Sequence, residues 1–283
     1  MKNMFTKRTI TVLGASILLC ASQAFAGLII TTGGQAATDG SGLTSSFIDA
    51  SNKIDPSGGY LIETFDYATR MIGFDTNAPI HDQDKTHNFS GPIFDTCGIN
   101  STAAISVTGN IGVKGDGSAD SHGVGAPPGG SHPTIGDKTC FGYTPGPGID
   151  NSVTVDYSAF LGASGVQIDY LGFYWGSIDP YNDFEFFDSI GGTSQVLTGA
   201  FLLGQSGGGN GDQSSLESNL YVNIAFTDFA FDSFTVTSTG IAGEFDNIVV
   251  GLTSRVIPEP NSLALLGISL LVLLVGTLKR KRL

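Results

Sequence analysis

Between residues 27 and 254 the apolar positions fall in short runs that are broken again and again by Gly, Asp, Asn, Pro and Ser. The runs cover residues 60–65, 103–107, 152–157, 166–175, 184–187, 195–201, 220–226, 231–237 and 245–252, with an early strand expected over Leu28–Thr32. They are rich in Val, Ile, Thr and aromatics, which suit a pleated, half-buried surface, and their boundaries carry the residues that turns require. No amphipathic helix of three turns is legible among them. The pattern predicts an all-β domain, a two-sheet jelly-roll-like β-sandwich. No fixed repeat period is visible, which argues against solenoids and propellers.

Two stretches depart from this rhythm. Residues 109–148 contain Pro127-Pro128-Gly129-Gly130 and Pro145-Gly146-Pro147-Gly148 and few apolar side chains, so a long Gly/Pro-rich connection is expected there. Residues 170–188 read Y-L-G-F-Y-W-G-S-I-D-P-Y-N-D-F-E-F-F-D. Two aromatic strands joined by a turn of Ser177, Asp179, Pro180 and Asn182 predict a hairpin.

The ends are of another kind. Lys2, Lys7 and Arg8 precede an apolar stretch over 10–20, and Ala24 and Ala26 supply the small residues that a signal peptidase reads. This pattern predicts a signal peptide over 1–26. Cys20 follows Ile17-Leu18-Leu19, where a lipoprotein signal would want a small residue. At the other end, residues 263–278 hold no charged side chain and are followed by Lys279, Arg280, Lys281 and Arg282. As a helix the run reaches roughly 24 Å, a short membrane span, expected over about 262–278 with the cations on the cytoplasmic side. Asn261 and Ser262 can cap it, and Pro258 and Pro260 stop it from extending backwards. The alternative, a buried core helix, seldom ends in four consecutive cations. The exported domain then spans 27–254, and residues 255–283 form a separate tail.

Pro258, Glu259 and Pro260, followed by one apolar helix and a basic terminus, resemble the PEP-CTERM sorting signal of Gram-negative bacteria, also labelled an ice-binding-protein C-terminal domain. The resemblance implies that a membrane-embedded exosortase cleaves near those three residues. An inner-membrane intermediate anchored by the helix would then pass to the cell surface or the medium. Such proteins accompany exopolysaccharide production. A second, looser resemblance covers about residues 100–250. The order of the 170–188 stretch, Tyr221-Val222-Asn223 and Glu244-Phe245-Asp246-Asn247-Ile248 is similar to the outer domain of one group of exosortase-dependent surface proteins. Gly243 stands where that group commonly has an aromatic. This likeness implies a β-sandwich and transfers no activity.

Charge narrows the partners. Eight of the 13 basic residues and one of the 26 acidic ones, Glu259, belong to the terminal segments, which leaves five basic against 25 acidic residues in the exported domain. Nucleic acid is excluded as a partner, because phosphate binding needs a basic footprint. An acidic surface suits an exported protein, a divalent cation or a cationic patch on a partner. With Cys20 removed, Cys97 and Cys140 can pair in an oxidising compartment, closing a loop of about 44 residues and contributing on the order of 3–4 kcal/mol; two free thiols are the alternative.

Candidate chemistry is sparse. Trp175, Tyr174 and Tyr181 could stack sugar rings while Asp179 and Asn182 bond hydroxyls, although alternating aromatics equally fill a sandwich core. Glu63 and Asp66 on the first strong strand, with Glu244 and Asp246 on the last, could share a structural calcium ion if those strands meet; solvated acids are the plainer reading. His81 to His87 (H-D-Q-D-K-T-H) lacks the Gly and distant Glu of a calcium loop. Gly204-Gln205-Ser206-Gly207-Gly208 fits G-x-S-x-G, but the Gly-rich continuation cannot hold the helix that a nucleophile needs, so a hairpin tip is expected. No catalytic residue is assigned. The expectation is a non-enzymatic surface or matrix protein associated with exopolysaccharide, with a carbohydrate-binding module and a secreted glycan hydrolase as the alternatives.

Overall fold

The structure is a computed structural model that describes residues 27–52, 59–65, 70–71, 99, 105–115, 125–130, 132–146, 150–229 and 231–254. The signal-peptide residues Ala24 and Ala26, the tail with Pro258, Glu259 and Pro260, and also Asp66, Cys97 and the 81–87 stretch lie outside them. In chain order the elements are β1 (Leu28–Thr32), β2 (Gln35–Ala36), β3 (Leu43–Thr44), β4 (Tyr60–Glu63), β5 (Arg70–Met71), β6 (Ser106–Gly109), β7 (Gly112–Gly115) and β8 (Cys140–Thr144). There follow β9 (Ser152–Asp156), α1 (Ser158–Ser164), β10 (Val166–Gly176), β11 (Asn182–Asp188), β12 (Thr193–Thr198), α2 (Gly199–Ser206), β13 (Leu220–Phe226), β14 (Ser233–Ser238) and β15 (Gly243–Ser254).

The fold is all-β. An eight-stranded sheet runs β1-β13-β10-β15-β4-β5, with β8 also on β15 and β7 on β8. A five-stranded sheet runs β12-β11-β14-β9-β6. Every paired strand in both is antiparallel. Strict alternation in β9, β11 and β14 turns Val153, Val155, Phe184, Phe186, Phe234 and Val236 inward, where all are buried. They meet the inner face of the larger sheet in an aromatic core. The Phe184 ring lies 4.1 Å from Phe173 and 4.8 Å from Trp175, centroid to centroid, and 6.0 Å from Phe245.

Three expectations need correction. Residues 170–188 are not a hairpin: β10 belongs to the larger sheet and β11 to the smaller, so the turn between them arches across the layers. Phe173 and Phe184 stack face to face across the gap between the sheets. The run 195–201 is not one strand. It ends at Thr198, whose side-chain oxygen accepts from the Phe201 N–H and starts α2; Gly207, at φ 76°, ends that helix. Ser206 therefore ends a helix and precedes glycines, the reverse of a nucleophile elbow, and it is not a hairpin tip either. Finally, the Gly/Pro-rich stretch carries β7 and β8, which add to the larger sheet through β15.

Candidate functional site

The aromatic platform expected at 174–182 is not open to a ligand. Trp175 and Tyr174 have 0% exposure, Trp175 within the core between the sheets. Tyr174 points to the other face and donates to the Ile135 carbonyl at 2.7 Å. Asn182 is buried and accepts from the Ser238 hydroxyl at 2.7 Å; Asp179 is buried as well. Tyr181 is half-buried and donates to the Ile241 carbonyl at 3.0 Å. Asn182 and Tyr181 tie down the turn that leads into β15.

Of the proposed calcium ligands, the three described ones, Glu63, Glu244 and Asp246, do not converge. β4 and β15 are direct neighbours, as expected of the first and last strong strands. Yet Glu63 faces inward beside Leu61, Val155 and Tyr157, while Glu244 lies on the opposite face, accepting from the Ala126 N–H at 3.0 Å and the Ser177 hydroxyl at 2.6 Å. Asp246, two residues along the same strand, shares the face of Glu244. One ion cannot reach both faces of a sheet. Among the described residues no cluster of three or more His, Cys, Asp or Glu could hold a metal. Burial pushes the Glu244 carboxyl up to about 8, against the lowering effect of the Ser177 hydroxyl. Cys140 is disulfide-bonded.

Glu244 belongs to a polar layer sealed under two covers, residues 33–52 on one side and 125–130 with 132–139 on the other, which lie on the outer face of the larger sheet. Asn247 is its hub. At φ 48° it occupies the left-handed region that Asn tolerates, at the point where β15 changes partner from β8 to β4. Its amide donates to the Ser41 carbonyl and the Leu43 carbonyl, both at 2.8 Å, and its oxygen accepts from Asn52 at 3.0 Å. Tyr170 donates to Asn223 at 2.7 Å and shares a 2.8 Å bond with Ser45. Asn219 accepts from the Gly129 and Ser177 N–H groups, both at 2.8 Å. Gly42, at φ 79°, lets the cover settle on Tyr174: a Cβ there would lie 2.5 Å from its ring.

The outer face of the five-stranded sheet contrasts with this. Register aligns Thr108, Thr154, Thr235, Glu185 and Val196 in one row across all five strands. A second row holds Ser106, Asp156, Ser233, Phe187 and Ser194, and a third holds Ser152, Thr237, Asp183 and Thr198. All fourteen are half-buried or exposed, and Phe187 is 41% exposed. Nine are hydroxyls, three are carboxylates, and none is a cation, so the face is a lattice of hydroxyls and acceptors with strands about 4.8 Å apart. Thr154 and Thr235 share a 2.8 Å hydroxyl bond. Neither this face nor Asn247 was assigned a role from sequence. The face is legible in hindsight in S-V-T-V-D (152–156) and S-F-T-V-T-S (233–238), where every second residue carries a short polar side chain.

No protein-family model, curated protein or solved structure matches this chain.

Proposed function

We propose that the chain is an exported, exosortase-sorted surface or extracellular-matrix protein. Its jelly-roll-type sandwich touches a neutral, hydroxyl-rich polysaccharide through the outer face of the five-stranded sheet. The observation that carries the contact is the three-row lattice: Ser and Thr hydroxyls donate and accept, Asp156, Asp183 and Glu185 accept from sugar hydroxyls, and Phe187 offers an apolar ring. The absence of cations from these rows fits a neutral chain and disfavours an anionic one. Export and anchoring rest on the signal-peptide pattern and the PEP-helix-basic tail. A non-enzymatic role fits a Ser206 with no elbow around it.

Intact mass tests the route. Protein taken from surface and medium fractions of the host, with and without its exosortase, is expected to start near Gly27, to lack the apolar tail, and to be two hydrogens light from a Cys97–Cys140 bond. A species ending at Leu283 in both strains makes the tail a permanent anchor and removes the sorting part of the reading. Retention on a neutral polysaccharide resin, and none on an anionic one, tests the contact.

A further inference from the structure

The five-stranded sheet ends at β12, whose second side is paired by no other described strand. An open edge presents a row of backbone donors and acceptors, and soluble proteins guard such edges with Lys, Pro, bulges or short length. β12 has none of these. It reads T-S-Q-V-L-T over six residues, without charge or proline, and its register with β11 is unbroken. Val196, on the outer face at its centre, is 41% exposed. α2 turns away directly after Thr198, carrying Leu202 into the core.

We propose that β12 is a self-association edge that pairs antiparallel with β12 of a second copy, joining two five-stranded sheets into one of ten strands. Antiparallel neighbours must point to the same side, so a two-fold axis normal to the sheet permits only registers that pair residues of equal parity. The register centred on Val196 sets Ser194 opposite Thr198 and Gln195 opposite Leu197, and it puts the two exposed valines side by side. The pairing ends at Ser194 opposite Thr198, because Gly199 already belongs to α2 and is buried. No charge lies within the seam, so the acidity of the chain is not concentrated there. The two hydroxyl faces become continuous, doubling the lattice without any new site.

The test is site-directed crosslinking of the full chain expressed in its host. Val196→Cys places two cysteines directly opposite each other at about 5 Å between Cα atoms, within disulfide reach. Glu185→Cys, on the same face one strand further in, places them about 14 Å apart, beyond it. The expected result is a reductant-sensitive dimer for Val196→Cys at least tenfold more abundant than for Glu185→Cys. Sedimentation should show a dimer for the parent chain and for Val196→Thr, and a monomer for Val196→Lys, in which like charges face each other. Equal crosslinking of the two cysteine variants, a monomeric parent chain, or a Val196→Lys dimer of unchanged strength overturns the proposal. Sedimentation is also read on Thr154→Ala/Thr235→Ala, which alters the hydroxyl face away from the edge and is expected to stay dimeric, so loss of pairing and loss of the hydroxyl-face contact are distinguishable.

Discussion

The outer faces of the two sheets are built from related polar side chains and end in opposite states. On the eight-stranded sheet, Tyr170, Tyr174, Glu244 and Asn247 lie under loops that satisfy their polar atoms, and Tyr221 donates to the Asn247 carbonyl beside them. On the five-stranded sheet, Thr108, Thr154, Thr235 and their neighbours meet solvent. Both faces are polar, the covered one mainly through Tyr, Asn and Glu and the bare one mainly through Ser and Thr. What separates them is whether a loop with the right glycines, such as Gly42 and Gly129, can come close enough to close over the sheet. A covered polar face specifies one packing at a desolvation cost; a bare one keeps its hydrogen-bonding capacity for something else.

Substitutions can break this contrast. The largest effect is expected beneath both faces: Trp175→Ala opens the shared aromatic core and should cost about 3–5 kcal/mol in chemical denaturation, whereas a sugar platform would have lost binding with little change in stability. Under the cover, Asn247→Ala removes the amide bonds to Ser41 and Leu43 and leaves a Cβ residue at positive φ, for about 2–3 kcal/mol. Glu244 gives the cover a pH signature. Its folded pKa, about 8, lies above the ordinary 4.5, so the folded state holds a proton that the unfolded chain releases. Its contribution is therefore full at low pH and falls as pH rises from about 4.5 to 8, by at most about 1.4 kcal/mol per unit. Burial raises Asp179 and Asp183 with the same sign. Glu244→Gln should flatten the slope in denaturation curves taken across that window. On the bare face, Thr235→Ala should change stability by no more than about 0.5 kcal/mol.

Much of the fold was legible as strand runs. Leu28–Thr32 and 220–226 match β1 and β13 residue for residue, and 166–175 falls one residue short of β10. What the runs did not reveal was pairing. Y-L-G-F-Y-W has large side chains on both parities, because β10 is covered on both faces, so nothing local marks Trp175 as inward and Tyr174 as outward. The arch at 177–181 and a hairpin call for the same turn residues, and only the layer assignment separates them. α2 was hidden for a related reason: eight residues with three glycine-flanked apolar side chains are too few for a helical period to show, and its start is marked by the Thr198 cap alone. The candidate site was less legible still. The conspicuous side chains of the sequence, Trp175, Tyr174, Asp179, Glu63, Glu244 and Asp246, are buried, and the Ser/Thr alternation reads as ordinary solvent-facing polarity until register lines up four such strands.

The central claim is that the bare hydroxyl face is the contact surface. The most direct measurement is a binding titration of the mature protein against purified neutral exopolysaccharide from its host, comparing the parent chain with Thr154→Ala/Thr235→Ala. Saturable binding by the parent chain is expected, with at least a tenfold loss in the variant, whose unfolding free energy stays within about 1 kcal/mol of the parent. Equal binding by both, or no binding by the parent chain, would contradict it.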